Sequence, residues 1–114
     1  MIYVASSSVV QFYISTTGSN SQLVQHTISS GGWVHIVGTD DGTNQKLYIN
    51  GAEEATRASL GSIFENNKVL EIGRYGENAL YEYGEQIAQP RIYNRALTAE
   101  EVQRNYDAGK NIYS

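Results

Sequence analysis

Cysteine is absent from the 114-residue chain, so a disulfide framework, a thiolate metal site and a cysteine nucleophile are all excluded. Proline and tryptophan occur once each. Positive charge is also scarce. Eight Lys and Arg face twelve Asp and Glu, a net charge of −4, and no stretch concentrates the basic residues, which argues against nucleic-acid binding through a basic face. No apolar run approaches the roughly 20 residues of a membrane span, and the Met1–Ala5 start lacks the charged n-region and long h-region of a signal peptide. The expectation is a chain with no membrane span that is not exported by the general secretory route. What is present is glycine (11), tyrosine (9) and short bursts of Val, Ile and Thr, a balance that suits strands and turns. The length fits one domain over residues 1–114, on a scale of roughly 100–200 residues per domain.

Val10, Phe12 and Ile14 alternate with Gln11, Tyr13 and Ser15, the period of a strand with one buried face. Thr17-Gly18-Ser19-Asn20-Ser21 is a turn signal, and Leu23 to Ile28 resumes the extended pattern as a hairpin partner. Trp33 to Thr39 is densely apolar and β-branched, as expected of a central strand buried on both faces. Asp41-Gly42 offers a tight turn into its partner, Lys46 to Asn50. Asn50-Gly51 is the strongest hairpin signal in the chain and leads into a strand over Ala52–Arg57. Further strands are expected at Val69–Arg74 and Ile87–Tyr93, the latter placed at an edge or bulge because Pro90 removes a backbone donor. Between them, Tyr75 to Glu85 has the composition of a long surface loop.

Helix signals are confined to the C-terminus, over about residues 98–108. Thr98 is placed as N-cap, Glu101 closes a capping box, and Leu97 and Val102 occupy the two positions of a hydrophobic staple. Tyr106 follows one turn later on the same face, and Gly109 is placed to stop the helix at C′. Turn signals at short intervals with no earlier helix predict an all-β fold: an antiparallel two-sheet sandwich of the jelly-roll type with a short C-terminal α-helix.

Four stretches carry a family resemblance. They are Trp33-Val34-His35-Ile36-Val37; Leu47-Tyr48-Ile49-Asn50-Gly51; Leu70-Glu71-Ile72-Gly73; and Ile87 with Arg91-Ile92-Tyr93-Asn94-Arg95-Ala96-Leu97-Thr98-Ala99-Glu100-Glu101. Their order and spacing, over about Trp33 to Tyr106, resemble the laminin-G-like jelly rolls of the concanavalin A-like lectin/glucanase superfamily. The resemblance implies a sandwich with Trp33, Ile36, Leu47, Ile49, Ile72, Ile87 and Ile92 in its core. Such domains usually carry several strands before the Trp motif, so this chain looks abbreviated at its N-terminus. The acidic residues common on the last strand are replaced by Ala88 and Gln89, and the preceding glycine falls one position early, at Gly84.

Superfamily glucanases use closely spaced carboxylates on one strand, as in Glu-x-Asp-x-x-Glu, and no such string occurs here. Glu77, Glu82 and Glu85 have unsuitable spacing, and His26 and His35 lack a matched Ser or Asp pattern. The expectation is a non-enzymatic protein. Asp40, Asp41 and Asn44 supply the oxygen ligands that Ca²⁺ prefers, and the resemblance implies calcium at loop rims, although the same residues also make a good turn. No other cofactor is expected. Arg74, Tyr75, Glu77, Asn78, Tyr81 and Tyr83 form the candidate ligand-binding set: three aromatic faces for stacking and polar groups for hydrogen bonds. Tyrosine is also common at protein interfaces. Domains with this Ile-Tyr-Asn-Arg-Ala-Leu ending resemble modules of phage virion proteins and of secreted bacterial surface proteins. The expected function is a structural or interaction module of a phage virion, such as a decoration, fibre or tail-appendage protein. Its expected partners are other virion proteins, a second copy of itself through open strand edges, or surface glycans. The alternative is a carbohydrate-binding, lectin-like module of a secreted bacterial protein, extracellular or at the cell surface.

Overall fold

In the computed structural model, which describes residues 2–4, 8–29, 32–65, 67, 70–72 and 84–113, the chain forms two antiparallel three-stranded sheets and one helix. The first sheet has the order β1 (Ile2–Val4), β2 (Val9–Ile14), β3 (Gln22–Thr27). The second has the order β4 (Ile36–Asp40), β5 (Asn44–Ile49), β6 (Ala52–Ala58), and α1 spans Ala99–Gly109. No helix among the described residues is long and apolar enough to cross a membrane.

Local chemistry explains the strands and their turns. β2 alternates as its sequence requires, with Val10, Phe12 and Ile14 buried, and it pairs with β3 from Val9↔Thr27 to Ile14↔Gln22. Asn20 closes that hairpin: its Oδ1 accepts from the backbone N–H of Thr16 (2.9 Å) and Thr17 (3.0 Å) and from the Ser15 hydroxyl (2.8 Å). Asn50 and Gly51 both take left-handed φ, 51° and 84°, the requirement of a tight two-residue hairpin turn. Leu47 opposes Ala55 while Tyr48 opposes Glu53, so Glu54 is the extra residue of a β-bulge in β6.

The main core lies between the two sheets. Val10, Phe12, Ile14 and Val24 of the first sheet meet Leu47 and Ile49 of the second, with Ile28, Val34, Ile36 and Ala55 packed around them. A fully buried side chain of this size contributes about 1.5–3 kcal/mol, and Val10 and Leu47 are fully buried. Gly38 of β4 makes room for the Phe12 ring, since a Cβ at Gly38 would stand 2.7 Å from the ring carbons. A second cluster forms on the outer face of the β4–β5–β6 sheet, where Tyr48, Leu97 and Val102 pack with Val37. β5 is therefore covered on both faces: Gln45, Leu47 and Ile49 face the first sheet, and Tyr48 faces the helix layer.

Several expectations need correcting. The strand buried on both faces is β5, not Trp33–Thr39: β4 begins at Ile36 and is half-buried except at Thr39, and Trp33 is 43% exposed, its ring 5.1 Å from that of Tyr113. No strand forms over Ile87–Tyr93. Gln89 takes a φ of 50°, left-handed for a residue with a side chain, and with Pro90 lacking an N–H the extended run is broken at its middle. Ile87 and Ile92 are consequently 48% and 70% exposed, and Ile72 is 56% exposed, so none of the three is a core residue. Of the expected strand at Val69–Arg74, Leu70–Ile72 are described and are not in a strand, and the remainder lies outside the described residues. Gly109 ends the helix from inside: the C-cap is Lys110, in right-handed conformation, with its N–H donating to the Tyr106 carbonyl. β1 is an addition, too short to show a period of its own and held by pairing Ile2 with Phe12 and Val4 with Val10.

Candidate functional site

The tyrosine-rich set, Arg74, Tyr75, Glu77, Asn78, Tyr81 and Tyr83, lies outside the described residues. The second set, Asp40, Asp41 and Asn44, falls in the β4–β5 turn, where the geometry is local. Asp41 Oδ1 accepts from the backbone N–H of Thr43 (2.8 Å) and Asn44 (2.7 Å). Asp40 Oδ1 accepts from the Gly42 N–H (2.8 Å), and both Asp40 oxygens accept from the Ser59 hydroxyl at 2.9 Å. The backbone N–H groups of Asn44 and Thr43 hold the Asp41 carboxyl below the usual carboxylate range. These oxygens close the turn and tie Ser59, just after β6, to β4. Among the described residues no group of three or more His, Cys, Asp or Glu could hold a metal ion.

Next to Asp40 lies a shallow hollow of about 290 Å³ that sequence reasoning did not find. Its walls come from β2 (Phe12), β4 (Gly38 to Asp40), the segment after β6 (Ile63) and the segment before α1 (Tyr93 to Ala96). The sequence signal was the Tyr93-Asn94-Arg95 run, which belongs to one of the family-like motifs. The polar groups around the hollow are held in place by neighbours. Tyr93 accepts from Asn105 Nδ2 at 3.4 Å. The Arg95 guanidinium grips Glu101 with both ends, Nη1 to Oε1 at 2.7 Å and Nη2 to Oε2 at 2.5 Å. That double contact, together with the Thr98 N–H donating to Glu101 at 3.0 Å, lowers the Glu101 carboxyl to about 2. The hollow is thus lined by an aromatic residue, an amide, apolar residues and an arginine already paired with Glu101.

The two histidines lie elsewhere. His26 Nε2 is 3.6 Å from Glu54 Oε2 of the bulge, a half-exposed pair linking β3 to β6. His35 precedes β4, and burial followed by the nearby Arg91 keeps its imidazole below the usual value.

Among curated proteins, none gives a significant match. A solved structure with the same fold is a segment, residues 221–444, of an S-layer domain-containing protein from Clostridium thermocellum, 21% identical with a TM-score of 0.62. The likeness covers 86% of this chain and 51% of that one, so the chain spans about half the length of that structure. The family model Laminin_G_3, described as concanavalin A-like lectin/glucanases superfamily, matches residues 1–103. The match takes in the strands ahead of Trp33, which the motifs alone did not reach. With two antiparallel sheets closed by a capped C-terminal helix, this chain belongs to the laminin-G-type branch of the concanavalin A-like lectin/glucanase superfamily.

Proposed function

We propose that this domain is a non-enzymatic interaction module displayed at a surface, as a structural component of a phage virion or of a bacterial cell envelope. One observation carries the reading. Large apolar side chains stand exposed at the hollow and next to it in the chain: Ile63, which lines it, with Phe64 after it, and Tyr93, which lines it, with Ile92 before it. A soluble domain seldom leaves grouped apolar side chains uncovered unless they meet a partner. The structural neighbour is a segment of an S-layer domain-containing protein, which supports the envelope placement, whereas the Ile-Tyr-Asn-Arg-Ala-Leu ending resembles modules of both kinds. Mass spectrometry of purified particles and of envelope fractions separates the two placements. Recovery in neither fraction, or glycan cleavage by the purified chain, overturns the proposal.

The second reading, glycan binding, is favoured by the hollow, where the Tyr93 ring stands beside Asn94 and Arg95. A glycan array should then show binding that Tyr93→Ala abolishes. Binding that survives this change places the sugar elsewhere.

A further inference from the structure

His35 sits in a seam between the β5–β6 turn and α1. Its backbone N–H donates to Asn50 Oδ1 at 3.0 Å, and its carbonyl accepts from the Asn50 N–H at 2.9 Å. These two contacts pin the residue to the turn. Its ring lies 5.8 Å from that of Tyr106 on α1. The helix closes over the same turn, since a Cβ on Gly51 would come within 2.8 Å of Gln103 Oε1 and 3.0 Å of Tyr106 Cδ1. Within this seam His35 Nδ1 is buried and has no hydrogen-bond partner among the described residues.

The charged and titratable groups around the seam are Arg91 from the segment before the helix, Tyr106 of α1, and Lys110 at its C-cap beside the Tyr106 ring. Lys110 Nζ stands 5.7 Å over the Tyr106 ring and is held by Asp107 at 2.9 Å. A neutral imidazole can keep Nδ1 as a bare lone pair at modest cost. An imidazolium would place an N–H there with no acceptor, and would add positive charge beside Arg91. We propose that His35 is an acid-responsive latch, which seats α1 on the β5–β6 turn when neutral and loosens that seat when protonated.

The sign follows from linkage. The seated state lowers the imidazole from its ordinary 6.5, so the loosened state binds the proton more tightly. Seating is complete above about 6.5 and weakens as the pH falls through the seated-state value, by at most about tenfold per pH unit. The latch does not depend on what the domain binds.

Trp33 is the sole tryptophan, and its ring contacts Tyr113 just beyond α1, so its fluorescence reports on the far end of the helix. The experiment is a titration of the full chain from pH 8 to 5, read by Trp33 fluorescence and by amide exchange corrected for its intrinsic pH dependence. The expected result is a fluorescence transition together with a several-fold loss of protection confined to α1, with β5 unaffected. Both signals should vanish in His35→Gln and persist in His26→Gln. A carbon-13 imidazole titration of the unmodified chain covers the case in which the variant folds poorly, and there His35 should titrate below 6.5. Titration of His35 at or above 6.5, or an undiminished acid response in a folded His35→Gln chain, overturns the latch.

Discussion

Gln22 of β3 and Gln45 of β5 hydrogen-bond to each other across the interior, Nε2 of Gln22 donating to Oε1 of Gln45 at 3.1 Å. Both amides also donate to backbone carbonyls. Gln45 Nε2 donates to Phe12 O at 2.8 Å, with a longer contact to Gln22 O at 3.3 Å, and Gln22 Nε2 donates to Ala58 O at 2.5 Å. Gln45 is fully buried, so this pair joins the sheets without leaving a polar atom stranded. Losing a partner costs about 1–3 kcal/mol for each buried group left unpaired. Gln45→Ala should therefore lower stability in urea unfolding by about 3 kcal/mol, and a double-mutant cycle with Gln22→Ala should show coupling of at least about 0.5 kcal/mol. Additive losses would mean the two amides act separately.

Gly38 faces Phe12 at a distance no Cβ tolerates. Gly38→Ala should lower stability by about 1–3 kcal/mol through overpacking. The informative control is a second change: Phe12→Leu combined with Gly38→Ala should recover part of the loss. A penalty unrelieved by the smaller side chain would point to the β4 backbone instead.

Thr98 accepts from the Glu101 N–H at 3.2 Å, and Glu101 returns the contact to the Thr98 N–H at 3.0 Å. Thr98→Ala should cost about 1 kcal/mol, measured as a drop in melting temperature and weaker helix circular dichroism, while Thr98→Ser should recover most of it.

Acid should act on the same cap in a window separate from that of His35. Glu101 has its carboxyl lowered from 4.5 to about 2, so its contribution is present above 4.5 and is lost as the pH falls from there to 2. In an acid-unfolding series, Glu101→Gln should be flatter over that window than the parent chain. Equal slopes would show that the Arg95 grip does not form in solution.

The β4–β5 turn gives a test for calcium. Because the Asp41 oxygen is already engaged by Thr43 and Asn44, a chelator should leave the melting temperature unchanged, and Asp41→Ala should lower it equally with and without Ca²⁺. A rise with added Ca²⁺, growing as RT ln(1 + [L]/Kd), would show a site that the turn geometry does not predict.

What the sequence made legible was local. The alternation of β2, the left-handed pair Asn50-Gly51 and the Thr98–Glu101 box each lie within a few residues, where the chemistry of one side chain on its own backbone decides the outcome. The Gln22–Gln45 bridge was not legible, because glutamine in a strand usually signals the solvent face and only the pairing of two sheets turns it inward. The break at Gln89 escaped for a related reason: periodicity records side-chain polarity and is silent about a single left-handed φ. The hollow beside Asp40 draws walls from four separate segments, which no local sequence pattern brings together. The tyrosine-rich loop from Tyr75 to Tyr83 remains an expectation, outside the described residues.

The double covering of β5 bears on how the chain reaches this state. Gln45, Leu47 and Ile49 point one way and Tyr48 the other, so a slip of one residue would send Lys46 into the interior and strand Leu47 under the helix. The Glu54 bulge and the Asn50-Gly51 turn leave few other pairings between β5 and β6. A misaligned hairpin would close neither layer. The register of β5 is thus fixed from both of its faces at once.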